Sequence, residues 1–254
     1  MISGQNRVVQ MLPDGQQGPE SQSPMDAYSN QAFGEEMDQL AGEVSRLGGL
    51  AESQIADCID AVVRRDVPLA QAVVVRDLKL DALQMDIERK AIGLIALRQP
   101  DGRPLRRTVA ALKIALNLER CGDLARNIAK RSLILSDDQP IMPLMRSIER
   151  MGRLVAGRLK AVLDAYAALD VDAAINVWAR DHEVDEHYNA LFAELITHMM
   201  ADPRAVTSGA HLMFIAKNLE RIGDHATNIA EFIHFEITGD ELAADRPKQD
   251  APVR

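Results

Sequence analysis

The chain has 254 residues, 47% of them hydrophobic and only 4% aromatic, with a net charge of −9 and a pI near 5.2. That length supports one large core or two adjoining ones without disulfides or metals to hold the fold, and the Ala, Leu, Ile, Val and Met that dominate favour helices. The acidic balance excludes a broad nucleic-acid footprint, and no basic leader before an apolar stretch and no run of 18 apolar residues is present, so neither export by a recognisable signal nor a membrane span is expected.

Residues 1–33 are rich in Gly, Gln, Ser, Pro and Asn and lack apolar periodicity, which predicts a disordered tail, with Met25 an alternative to Met1 as translation start. From about Glu35, Met37, Leu40, Val44, Leu47, Ile55, Ile59 and Val62 recur at helical spacing and mark the first long helix. Asp66-Val67-Pro68 reads as an N-cap with proline in the first turn, opening a second helix to about Arg98. Gln99-Pro100-Asp101-Gly102-Arg103-Pro104 stops it, and a third helix is expected over about 105–135.

The order of elements then recurs. Asp60-Ala61, Asp66-Val67, Arg76-Asp77 and Asp81 reappear 104 residues later as Asp164-Ala165, Asp170-Val171, Arg180-Asp181 and Asp185. In the third helix the offset falls to 101, a difference that one turn absorbs. There, twelve of the sixteen positions from 114 to 129 are identical in the second copy, across Asn117-Leu118-Glu119-Arg120-Cys121-Gly122-Asp123 and Asn218-Leu219-Glu220-Arg221-Ile222-Gly223-Asp224. The expectation is an all-α protein of two tandem three-helix bundles, six long antiparallel helices in all, over 34–137 and 138–238, with a second disordered tail at 239–254.

On a helical wheel Ile114, Cys121 and Ile128 form a core face, matched by Ile215, Ile222 and Ile229, while Glu119, Asp123 and Asn127, like Glu220, Asp224 and Asn228, line the opposite face. The preceding helices carry Asp77 with Asp81 and Asp181 with Asp185, so two neighbouring helices converge four carboxylates, a hard-oxygen donor set suited to metal ions. Residue chemistry alone leaves two readings open, a cation site and a structural polar face. Gly122 and Gly223 imply close approach of another helix or a ligand, and Arg120 and Arg221 imply salt bridges to acids of an adjacent helix. Cys58 and Cys121 read as buried free thiols; His225 follows Asp224 directly, and a structural role is favoured over support of that acid. No Gly-x-x-x-x-Gly-Lys-Ser/Thr loop, no Gly-x-Ser-x-Gly elbow and no di-iron Glu-x-x-His pattern occurs, so an enzyme is not expected.

The repeated Asn-Leu-Glu-Arg-x-Gly-Asp-x-Ala-x-Asn-Ile-Ala, on the third helix of each unit, resembles the signature of the PhoU family of phosphate-signalling proteins. The resemblance spans about 35–237 and includes Leu47-Gly48-Gly49-Leu50, Arg98-Gln99-Pro100 and Asp170-Val171-Asp172. It implies a cytoplasmic negative regulator of phosphate uptake and of the phosphate-starvation two-component response. Such a regulator links the ATP-binding subunit of a phosphate ABC transporter to a sensor histidine kinase, as a homodimer that meets the inner membrane only through partners and binds no nucleic acid. It implies iron or zinc clusters, or magnesium or manganese ions, held by Glu119 with Asp123 and Glu220 with Asp224. Asp77, Asp81, Asp181 and Asp185 join that set by spacing, with Asn127, Asn228, Arg120, Arg221, Gly122 and Gly223 in support. The alternative is a metal-storage or metal-dependent phosphohydrolytic helical bundle.

Overall fold

A computed structural model describes residues 24–135 and 142–242. They form α1 (Pro24–Arg64), α2 (Val67–Arg98), α3 (Gly102–Leu135), α4 (Met142–Ala168), α5 (Val171–Ala179), α6 (His182–Ala201) and α7 (Val206–Thr238), with a 3₁₀ turn at Pro203–Ala205 before α7. No strand occurs among the described residues. The first repeat is α1 to α3 and the second is α4 to α7, each built on long antiparallel helices.

Both α1–α2 and α4–α5 turns use the same device. Asp66 accepts from Leu69 N at 2.9 Å and Asp170 from Ala173 N at 2.9 Å, so a carboxylate caps the helix start in each repeat. The residues just before them, Arg65 (φ 57°) and Leu169 (φ 52°), close the preceding helix in the left-handed conformation. The following amides, Asp66 N and Asp170 N, reach back to Ala61 O and Ala165 O. The duplication thus extends to a backbone state that no residue identity announces.

Three expectations are corrected. Residues 24–33, assigned to a disordered tail, belong to the start of α1, while 1–23 lie outside the described residues. The third helix starts at Gly102 rather than 105, because Pro104 falls in its first turn, where a missing N–H costs nothing. The fifth helix is not one long rod: it ends at Ala179, and α6 resumes at His182. No Gly or Pro marks that break. Of the C-terminal tail, 239–242 are described and non-helical; Gly239 (φ 86°) closes α7, and 243–254 lie outside the described residues, as does the 136–141 link.

The repeats share one core rather than two. Ile114, Cys121 and Ile128 of α3 and Ile215, Ile222 and Ile229 of α7 are fully buried, as the wheel predicts, within a cluster continuous from Met37 to Ile233. Cys58 and Cys121 are buried free thiols, and burial pushes both well above the usual thiol range. The most extensive helix pairing is between α3 and α7, the two motif helices, with α1 packed on α4 beside them. Each motif helix therefore uses one flank on its own repeat and another on its twin.

Candidate functional site

Each repeat holds its carboxylates between the motif helix and the helix before it. In the first, Gly122 lets α2 come close: a Cβ there would lie 2.8 Å from Leu80 Cδ1 and 3.3 Å from Asp77 Oδ1. In the second, a Cβ on Gly223 would meet Val184 at 3.2 Å. The expected close approach is a helix-to-helix one in both.

Asp77 does not face solvent with the other acids. It is 1% exposed and fully engaged: Gln54 Nε2 of α1 donates to its Oδ1 at 2.9 Å, and Arg126 Nη1 of α3 donates to Oδ2. Arg126 Nη2 also lies 2.6 Å from Asp123 Oδ1, so this guanidinium bridges two of the predicted ligands. Arg120 pairs with Glu119 and Asp123, each at 3.4 Å, on its own helix rather than on a neighbour as expected. Its approach to Glu119 Oε2 lacks hydrogen-bond geometry, leaving that oxygen buried without a hydrogen bond, like Asp81 Oδ1. Burial, then the charge of Asp77 and Asp123, raises the Asp81 carboxyl; burial, then Asp123, raises Glu119.

The second repeat answers the equivalent acid, the partly buried Asp181, differently. The position of Gln54 is taken by Arg158 of α4, and that of Arg126 by Thr227 of α7. Arg158 is buried, and its Nη2 lies 3.5 Å from Asp181 Oδ1 and donates to Thr227 Oγ1 at 3.0 Å, while the Thr227 hydroxyl donates to Asp181 at 2.7 Å. The guanidinium also donates to the carbonyls of Val177 (2.8 Å) and Arg180 (2.5 Å). Those are the carbonyls an unbroken helix would have paired with the amides of 181 and 184, and here Val184 N goes to Asp181 O instead. The break between α5 and α6 thus sits at a predicted ligand, with Arg158 occupying the released Val177 carbonyl and sharing that of Arg180 with Glu183 N.

Of the remaining acids in this repeat, Glu220 accepts from Lys217 Nζ at Oε1 (2.6 Å) and keeps Oε2 buried without a hydrogen bond. Asp224 is raised to about 6, first by burial and then by Glu220, Asp181 and Asp185. Among the described residues no three His, Cys, Asp or Glu side chains already stand in a metal-holding arrangement. The acids share a face in each repeat without forming a closed cage. Asn127 and Arg221 are exposed.

His225 supports something other than Asp224. Its Nδ1 meets Asn117 Oδ1 at 2.8 Å, across the α3–α7 seam, and Asn228 Nδ2 reaches the same oxygen at 3.3 Å. Asn117 Nδ2 donates to Lys113 O, which fixes its carbonyl toward α7 and makes His225 Nδ1 the proton-bearing nitrogen. Burial, then Arg221 and Arg120, lowers the imidazole to about 4, so it is neutral at pH 7. This polar knot joins the two repeats across their motif helices.

The chain matches the PhoU domain twice, over residues 44–132 and 148–233. It belongs to the PhoU family. It is 63% identical over 226 residues to a phosphate-specific transport system accessory protein PhoU homolog of Caulobacter vibrioides, covering 89% of this chain and 98% of that one. With the corresponding Rhizobium meliloti protein the identity is 45% over 224 residues, covering 88% and 94%. Among solved structures, PhoU of Pseudomonas aeruginosa superposes with a TM-score of 0.80 at 33% identity, over 82% of this chain and all of that one. The phosphate transport system regulatory protein PhoU of Streptococcus pneumoniae gives 0.77 at 27%, over 83% and 99%. These PhoU names describe accessory and regulatory proteins, not enzymes. No described helix is long and apolar enough to cross a membrane.

Proposed function

We propose that this protein is a metal-binding accessory protein of phosphate transport that holds phosphate uptake and the phosphate-starvation response off when phosphate is plentiful. It acts in the cytoplasm, between the ATP-binding subunit of a phosphate ABC transporter and a sensor histidine kinase. The observation that carries the regulatory part is end-to-end similarity, through both repeats, to transport-system accessory proteins.

The donor set supports the metal part. Asp81 Oδ1, Glu119 Oε2 and Glu220 Oε2 are buried oxygens with no hydrogen bond, and burial disfavours charge on Asp81, Glu119 and Asp224. A cation in each repeat would relieve the acids of that repeat. The residues that would hold it are Asp81, Glu119 and Asp123 in the first repeat and Asp185, Glu220 and Asp224 in the second, carboxylates suited to iron, zinc, magnesium or manganese. Asp77 and Asp181 serve instead as anchors for Arg126 and Arg158. The bound ion supplies charge neutralisation between neighbouring helices.

Deleting the gene and assaying a starvation-induced phosphatase in high phosphate tests the regulatory part. Derepression is expected, and retained repression would sink it. The metal part is tested on purified protein by elemental analysis and by thermal melting with added manganese, zinc or ferrous iron. The melting temperature is expected to rise in wild type and not in Glu119→Gln/Glu220→Gln; equal shifts in both would refute those ligands.

A further inference from the structure

The groove between the opening helix and the helix antiparallel to it is built differently in the two repeats. Between α4 and α6 it is open, about 1130 Å³, with Arg146, Arg150 and Arg153 along α4 and Ala190, Ala193 and Ala201 along α6. The matching pocket between α1 and α2, beside Leu40 and Leu94, holds about 250 Å³. Counting back 104 residues explains the difference. Ala190, Ala193 and Ala201 stand where α2 carries Asp86, Arg89 and Leu97, while Arg146 and Arg153 stand where α1 carries Gly42 and Gly49. The second repeat has cleared one wall of bulk and lined the other with cations.

The three arginines recur at i, i+4 and i+7, so they share one face of α4 over about 10 Å, one cation per turn, and all three are exposed. The fold uses little of their charge. Arg153 pairs with Glu149 of its own helix at 2.6 Å, at the surface, and Arg150 donates to Ser147 Oγ at 2.9 Å. Arg146 has no hydrogen bond or ion pair among the described residues. Besides Glu149, the groove is lined by one acid, Glu194 of α6, which accepts from the Ser147 hydroxyl at 2.8 Å. In a chain of net charge −9, this wall is a local concentration of positive charge facing an alanine strip.

We propose that the α4–α6 groove takes an acidic amphipathic helix from a partner protein. Its small apolar face lies on Ala190, Ala193 and Ala201, and its carboxylates, at i, i+4 and i+7, meet Arg146, Arg150 and Arg153. A helix fits for two reasons. Alanines at three- and four-residue intervals along α6 let a second helix axis come within about 8 Å, the near end of the usual packing range. The stretch from Ala190 to Ala201 is about 16 Å long, three helical turns, and Arg146 to Arg153 spans two of them. Charge selects an acidic helix, since it supplies the anions that the arginine wall lacks and an apolar side for Leu144 and the alanines. A short phosphate chain has no apolar side to offer and would meet Glu149 and Glu194. This inference goes beyond the signalling proposal and rests on neither acidic cluster.

The probe is a fluorescein-labelled helical peptide of about 16 residues, with alanine and leucine on one face and glutamate at i, i+4 and i+7 beside it. Fluorescence anisotropy with the full chain should give a dissociation constant on the order of 10 µM, and the same peptide with lysine for glutamate should not bind. Arg146→Glu/Arg153→Glu should weaken the glutamate peptide about tenfold or more and admit the lysine peptide. Ala193→Trp, which fills the groove and leaves the arginines in place, should abolish binding. These side chains are exposed, so circular dichroism should be unchanged in both variants. No binding to wild type, equal binding of the two peptides, or binding indifferent to Ala193→Trp would each overturn the proposal. So would displacement of the peptide by equimolar tripolyphosphate, which would make the groove a polyanion site. A self-association in sedimentation equilibrium that Ala193→Trp dissolves would make it a contact between copies, and would overturn it as well.

Discussion

The two repeats hold an equivalent aspartate between helices and neutralise it from different ones. In the first, Asp77 takes its arginine from the motif helix, as Arg126, and an amide, Gln54, from the opening helix. In the second, Asp181 takes its arginine from the opening helix, as Arg158, and a hydroxyl, Thr227, from the motif helix. One positive charge is kept per cluster while its origin is exchanged. The exchange has structural consequences: α2 runs unbroken past Asp77, whereas its counterpart is interrupted at Asp181, where the guanidinium takes up main-chain carbonyls. It also differentiates the acid faces, since Arg126 of the motif helix touches Asp123 in the first repeat, whereas Lys217 pairs with Glu220 in the second.

Removing Arg158 should be the most damaging change to this comparison. Arg158→Gln takes the guanidinium away from Asp181, Thr227 and the Val177 carbonyl, and the loss of one partner of a buried pair costs about 3–5 kcal/mol; the urea midpoint measures it. Arg126→Thr, at a more exposed arginine, should cost about 1–3 kcal/mol. Adding Gln54→Arg, which imports the second repeat's arrangement, should recover at least half of that. An additive double mutant would show that the two arrangements are not interchangeable.

The motif glycines sharpen the contrast at a smaller scale. Gly122→Ala would force its Cβ onto fully buried Leu80 and should destabilise by about 1–2 kcal/mol despite the better helix propensity. Gly223→Ala meets Val184 at a longer distance and should fall within about 0.5 kcal/mol of wild type by thermal melting.

His225 occupies the position of Leu124, which cannot titrate. Its native value of about 4 lies below the unfolded 6.5, so between them the unfolded chain binds more protons and stability falls as pH drops through that window. Asp224, raised from 3.8 to about 6, works in the opposite sense, since there the native state holds the proton and stability falls as pH rises. His225→Leu should remove the acid-side loss, and Asp224→Asn the loss on the rise, in melting curves from pH 4 to 7. Leu169→Gly should stabilise by about 0.5–1 kcal/mol, by relieving a left-handed residue at the α4–α5 turn.

Much of this was legible before any coordinates. Repetition placed the motif helices, Ile and Cys marked their inner faces, and Asp66 and Asp170 announced helix starts. The arginine exchange was not legible, because repeat comparison draws the eye to identities, and Gln54/Arg158 and Arg126/Thr227 are differences. A signal existed nonetheless: two offsets applied to two helices show a charge leaving one position and arriving at another. The break at Arg180-Asp181 carried no Gly or Pro, since it depends on a side chain 22 residues away in sequence. The burial of Asp77 was missed because its partners come from two other helices. The exposure of Val75, Leu78, Met85 and Ile92 on α2 was hidden by its inner face, as two apolar faces together blur the helical period.

The pairing of α3 with α7 carries a historical consequence. The repeats dock through the same element of each, in the manner of two subunits meeting at a shared patch. A gene encoding a single repeat would make a three-helix protein whose motif helix exposed that patch and could cover it only with a second molecule. Fusion of two such genes turns an equilibrium between molecules into a permanent internal contact. It also frees the halves to diverge, so that an asparagine on one side could acquire a histidine on the other, and a charge shared by both could change its address.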